Sequence, residues 1–182
     1  MKGKSGIFFV IGLALFALVV IFLTFSSSEK DNAENFNTAL PDSEYLSQEP
    51  YLTSMYDLEG NEVDMDKDKL VFLNVWATWC GPCVLEMPSI QSLYERYKSN
   101  GNVQFYIVSD EDAETILPFI ARRGYDLPFY IYDKRFPGVL DGTAIPRTYI
   151  VYKGRILAQH IGAANWDTPE IHELIEAALQ DS

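Results

Sequence analysis

Cys80 and Cys83 are the only two cysteines in the chain, three residues apart in Trp76-Ala77-Thr78-Trp79-Cys80-Gly81-Pro82-Cys83. The apolar, β-branched stretch Leu70-Val71-Phe72-Leu73-Asn74-Val75 runs directly into them. A strand that ends near one cysteine and turns into a helix carrying the second sets both sulfurs at a helix N-terminus. There, unpaired N–H groups and the positive end of the macrodipole favour thiolate over thiol. A thiolate that can close a ring with a near neighbour passes two electrons to or from another disulfide. A purely structural disulfide fits the spacing poorly, because such a bond stabilises mainly by closing a long loop and this one closes almost none. A zinc site normally takes four ligands, and beyond this pair the chain offers only His160 and His172, far apart.

The elements that must carry the pair follow from periodicity. Residues 70–76 form a continuous apolar run suited to a central strand buried on both faces. Over 82–98 the apolar positions Val84, Met87, Ile90, Leu93, Tyr94 and Tyr97 recur at steps of three and four, which predicts an amphipathic helix interrupted at Pro88. A second central strand is expected over 103–108, a helix over 112–123 closed by Gly124, and a strand over 127–132. Residues 147–152 and 156–161 read as a hairpin through Lys153-Gly154-Arg155, and 51–57 with 62–65 as a shorter one around Glu59-Gly60-Asn61. A last helix is expected from Asp167, capped by that side chain with Glu170 three residues on, to about residue 179. Strand, helix, strand, helix, hairpin and closing helix predict an α/β domain with a mixed sheet covered on both faces.

Ahead of this domain, residues 7–25 are apolar apart from Gly12 and Thr24. A helix of that length is about 28 Å long, close to the thickness of a hydrocarbon layer. Lys2 and Lys4 precede it while Glu29, Asp31 and Glu34 follow, so the basic flank marks the cytoplasmic side. The expected organisation is a cytoplasmic stub at 1–6, a transmembrane signal-anchor at 7–25, a flexible acidic linker at 26–50, and an extracytoplasmic domain at 51–182. A cleaved signal peptide is the alternative, with Ser26-Ser27-Ser28 as the cut site, but the apolar run exceeds the usual signal core. With 14 basic and 26 acidic residues the net charge is −12, which argues against nucleic acid or anionic membrane surfaces as ligands.

The motif is accompanied by Glu86 and Pro88 early in the long helix, by Ile145-Pro146 before the second hairpin, and by Asn165-Trp166-Asp167 at the start of the final helix. Together these resemble the TlpA/ResA/DsbE-like group of membrane-anchored thioredoxin-fold proteins over residues 51–179. The resemblance implies a thioredoxin fold and thiol–disulfide oxidoreductase activity carried by the cysteines without a cofactor or metal. It implies that Cys80 is the exposed attacking thiol, Cys83 the buried resolving thiol, and Pro146 a cis-proline facing the disulfide. It also suggests that Glu86 handles the proton of Cys83; the plainer reading is an acid that complements a helix N-terminus. Asn74 stands where thioredoxin carries a buried aspartate and cannot titrate, which leaves proton management to Glu86 or to water. Trp79, Gly81, Pro82, Ile145, Pro146 and Arg147 form the expected substrate-binding surface, with Trp76 and Trp79 packing around the motif. Arg147 follows Pro146 where threonine is common, and three readings stay open: stabilising the Cys80 thiolate, orienting acidic substrates, or standing solvated at a strand end.

The Gly-Pro dipeptide between the cysteines is that of thioredoxin, at about −270 mV, whereas the strong oxidant DsbA lies near about −120 mV. The expected role is therefore reduction of disulfides in exported proteins, apocytochrome c among the candidates. A membrane thiol carrier would be the electron donor. The rival roles are a disulfide-forming oxidase and a copper-delivery module that uses Cys80, Cys83 and His160.

Overall fold

The computed structural model describes residues 49–180. The stub, the apolar segment at 7–25 and nearly all of the linker lie outside the described residues, among which no helix is long and apolar enough to cross a membrane. In chain order the elements are β1 (Met55–Asp57), β2 (Glu62–Val63), β3 (Leu70–Val75), α1 (Gly81–Tyr97), β4 (Val103–Ser109), α2 (Ala113–Arg123), β5 (Phe129–Ile131), a 3-10 turn (Gly138–Leu140), β6 (Arg147–Tyr152), β7 (Arg155–Ile161) and α3 (Pro169–Gln180). The strands form one mixed sheet in the order β2-β1-β5-β4-β3-β6-β7. β3 runs parallel to β4 and antiparallel to β6, and β4 runs parallel to β5.

β3 and β6 are buried along their whole lengths, as the continuous apolar runs require. Two successive crossovers step the same way, from β3 to β4 to β5. Right-handed connections therefore set α1 and α2 on one face of the sheet. On that face Leu70 and Phe72 meet Cys83, Met87, Ile90 and Leu93 of α1, Ile116 and Phe119 of α2, and Ile171 and Ile175 of α3. Val71 and Leu73 point the other way, onto Tyr106, Val108, Tyr149 and Val151, and among the described residues that face is covered by Tyr51, Leu52, Met55, Met65 and Leu140 rather than by an α-helix. The same alternation sorts the end of β3. Asn74 pairs with Thr148 on the α1 face, and Val75 pairs with Arg147 on the opposite one.

Most departures from the expected elements lie at their ends. The strand expected over 127–132 shrinks to Phe129–Ile131, because three residues find partners on β4 and the preceding Pro128 has no N–H to offer. The first hairpin keeps only the pairs Met55↔Val63 and Tyr56↔Glu62. The second turns on Lys153 and Gly154 at φ 48° and 75°, so β7 begins one residue earlier than expected. Asp112 caps α2 by accepting from the Thr115 N–H at 2.8 Å, and Gly124 closes that helix at φ 71°.

Two expectations are corrected. Pro88 does not interrupt α1, which continues through it for 17 residues; only the bond to the carbonyl of Val84 is forfeited there. Nor does Asp167 cap the final helix. A proline at the first helical position, Pro169, fixes the start, so Thr168 does the capping, its carbonyl taking the His172 N–H at 3.1 Å and its hydroxyl the Ile171 N–H at 3.5 Å. Asp167 faces the His172 Nε2 at 2.8 Å instead.

Candidate active site

Cys80 is the N-cap of α1, and its Sγ accepts from the Cys83 N–H at 3.2 Å. That N–H is one of the orphan donors at the helix start, placed where it supports negative charge on the sulfur once the pair is reduced. The two sulfurs are bonded to each other. Cys83 is fully buried and Cys80 is 4% exposed. The openly exposed thiol expected at position 80 is thus not present in the disulfide form, since the bond ties its sulfur to a buried partner. Of the two, Cys80 is the less deeply buried.

Between the cysteines Gly81 and Pro82 are exposed; Ile145, packed against the core cluster that holds both cysteines, is half-buried, and Pro146 is buried. The Ile145-Pro146 peptide bond is cis, and the Pro146 carbonyl accepts from the Gly162 N–H at 2.9 Å. Trp76 packs as expected, with ring centroids 5.3 Å from Phe119 and 5.2 Å from Phe129. Trp79 does not; it is 74% exposed beside Cys80. Two residues past buried Ala77, it has left the strand's packing for solvent.

Glu86 lies three residues after Cys83 on α1 and is 2% exposed. Its Oε1 accepts from Asn74 Nδ2 at 2.7 Å, and its Oε2 accepts from Trp166 Nε1 at 3.0 Å and from the Ala164 N–H at 3.2 Å. Asn74 also donates to Thr148 Oγ1 at 2.8 Å. These three donors to Glu86 are neutral, so they hold the carboxylate by their dipoles. Glu86 lies beyond the first turn of α1, where a helix N-terminus acts only weakly on an acid.

Arg147 is 4% exposed, which excludes a solvated strand-end arginine. Its guanidinium lies over the Phe136 ring, 4.4 Å from the centroid, and donates from Nε to the Leu140 carbonyl at 3.4 Å and from Nη1 to the Ala144 carbonyl at 3.3 Å. Burial pulls its pKa below the ordinary arginine value, against the opposing effects of Tyr149, Asp141 and Asp110. Burial likewise pushes the Tyr149 hydroxyl up, with Arg147 acting the other way.

Sequence reasoning missed Glu111. From the loop after β4, its Oε2 accepts from the Thr78 N–H at 2.6 Å and its Oε1 from the Thr78 hydroxyl at 2.7 Å, with Ser109 Oγ donating to Oε2 at 3.2 Å. The segment that delivers Cys80 is thereby tied to the neighbouring strand. The signal that could have found it is positional: an acid just past a parallel strand adjacent to the one that carries the motif. Among the described residues no three His, Cys, Asp or Glu side chains are grouped to hold a metal.

A family model described as Redoxin matches residues 31–175. The chain belongs to the redoxin family. This redoxin is 35% identical over 150 residues to the thiol-disulfide oxidoreductase ResA of Oceanobacillus iheyensis, a match covering 76% of the chain and 71% of that relative. To a ResA of Bacillus cereus it is 39% identical over 98 residues, and there the chain spans about half the relative's length, 51%, with 52% of its own. Among solved structures, a DsbE thiol:disulfide interchange protein of Chlorobium tepidum superposes with a TM-score of 0.61 at 23% identity, covering 72% of this chain and 95% of that one. StoA of Bacillus subtilis gives 0.51 at 21% identity, covering 69% and 94%. The structural likenesses establish the fold, and the ResA matches bear out the TlpA/ResA/DsbE-like resemblance.

Proposed function

We propose that this redoxin reduces disulfides in exported proteins, apocytochrome c among the candidates, from the outer side of a membrane to which residues 7–25 anchor it. The observation that carries the reading is the Cys80–Cys83 disulfide at the α1 N-terminus, where Cys83 is fully buried and Cys80 is 4% exposed. In the reduced protein the Cys80 thiolate attacks one sulfur of a client disulfide. A Cys80–client bond forms, and the other client sulfur leaves as a thiolate that takes a proton. Cys83 then loses its proton and attacks Cys80 Sγ, the mixed disulfide breaks, and the client leaves with two more electrons. Glu86, held in place by Asn74, Trp166 and Ala164, is the carboxylate that takes the Cys83 proton. A membrane thiol carrier returns the protein to its dithiol form.

Trapping tests the assignment. Cys83→Ser should accumulate mixed disulfides with client proteins because resolution is blocked, whereas Cys80→Ser should form almost none. Equal trapping by both variants would remove Cys80 as the attacker. Equilibration with glutathione tests direction: the Gly81-Pro82 dipeptide supports a potential nearer about −270 mV than about −120 mV. A value at the upper end, with rapid oxidation of a reduced unfolded protein, would make the chain an oxidase.

A further inference from the structure

A groove of about 370 Å³ is lined by Trp79, the residue before Cys80, and by Ile145, Phe136 and Arg147. Arg147 is the unusual member. Its guanidinium is buried, yet its bonds to the Leu140 and Ala144 carbonyls are 3.4 and 3.3 Å, beyond ordinary N–H···O lengths. Among the described residues the ion pairs do not include it. Asp141, an acid close enough to influence it, is engaged by Arg135 at 3.2 Å. A guanidinium carries five N–H donors in a planar fork, and here two go to long carbonyl contacts and a further one bonds the Tyr149 hydroxyl, none of them a counter-charge. Burying a charge without a counter-charge is costly, and the ligand that matches the fork is a carboxylate taken by two parallel bonds.

We propose that this groove is a subsite for an acidic side chain of the client, placed a few residues from the cysteine under attack and held by Arg147. The proposal rests on the thiol-exchange reading above. Asp110, Asp133 and Lys134 also line the groove, and two acids against one base there oppose an incoming carboxylate. All three are exposed, where water and salt weaken their effect, whereas Arg147 acts from a buried position. The buried charge therefore decides the preference. An extended client with Asp or Glu flanking its cysteine would lie along Trp79 and Ile145, its carboxylate reaching into the groove while its sulfur meets Cys80.

The test uses the full chain, reduced, and disulfide-bonded peptides that differ only in Glu, Gln or Lys at positions flanking the attacked cysteine. Second-order reduction rates should favour the best-placed Glu peptide over its Gln counterpart by about three- to tenfold at low salt, and Lys should be the slowest. Arg147→Met should bring the Glu-to-Gln ratio to about one, while Arg147→Lys should retain part of it. Because the ratio is read on wild-type protein first, a variant that fails to fold does not rescue the proposal. Equal rates for Glu and Gln peptides at every position, or a preference for Lys, would overturn the subsite while leaving thiol exchange intact. Failure to reduce any of the peptides would overturn the thiol-exchange reading itself, and the subsite with it.

Discussion

Arg147 and Thr148 are neighbours on β6, yet they face opposite sides of the sheet and belong to two differently bonded polar groups, the one around Glu86 leaving only Asn74 Oδ1 without a partner among the described residues. Thr148 closes a chain in which Asn74 bridges to Glu86, and Glu86 takes further donors from Trp166 and Ala164, at 2.7 to 3.2 Å throughout. Arg147, on the other side, makes two long bonds to carbonyls, bonds the Tyr149 hydroxyl and lies on a ring, with no ion pair among the described residues. A buried charge whose lone pairs are matched is part of the frame, because each partner would be orphaned by its loss. A buried charge with slack contacts keeps capacity for a ligand, and its removal spares the fold. The two sides of one strand end thus separate fixing the helix that carries Cys83 from meeting a client.

The contrast is sharpest in stability. Glu86→Leu orphans three donors at once and should cost about 3 kcal/mol in denaturant unfolding of the oxidised protein; a cost near zero would break the comparison. Asn74→Ala removes two of the bonds and should cost about 1–2 kcal/mol by the same measurement. Arg147→Met should stay within about 1 kcal/mol of wild type and can be stabilising, since an apolar chain replaces an incompletely paired buried charge. A loss as large as that of Glu86→Leu would place Arg147 in the frame as well. Glu86→Gln separates structure from proton handling, because it keeps the shape and loses the titration. The pH–rate profile of thiol exchange should then shift, and an unchanged profile would leave Glu86 purely structural.

The smallest effect belongs to Asp112, an exposed cap outside both regions. Its hydrogen bonds with Thr115 hold the carboxyl below its ordinary value. The stability it contributes is therefore present above the unfolded aspartate pKa and fades as pH falls through the lower folded one. Asp112→Ala should lower the melting temperature slightly at neutral pH, with the difference vanishing in acid.

Where a pattern is local, the chain could be read directly. The motif, the runs that became β3 and β4, the Lys153-Gly154 turn and the Gly124 stop each depend on residues within a few positions of one another. Glu111 was not legible because its partner Thr78 is 33 residues away and meets it only after β3 and β4 lie side by side. Arg147 was legible as a charge but not as a buried one; its alternating strand places it opposite Val75, on the face closed by the loop around Phe136 and Leu140. Thr168 was passed over for Asp167 because both are good capping residues, and the position of Pro169 settles between them.

The bonds from Ala164 and Trp166 to Glu86 span 78 and 80 residues of chain. In a growing polypeptide made at about 5–20 residues per second, the cysteines emerge roughly 4–16 s before those donors exist. Through that interval the Glu86 carboxyl group has Asn74 as a donor but not yet Ala164 or Trp166, and α1 settling against the sheet would bury it incompletely bonded. The cysteine pair is therefore made well before the polar site that holds Glu86 can be completed.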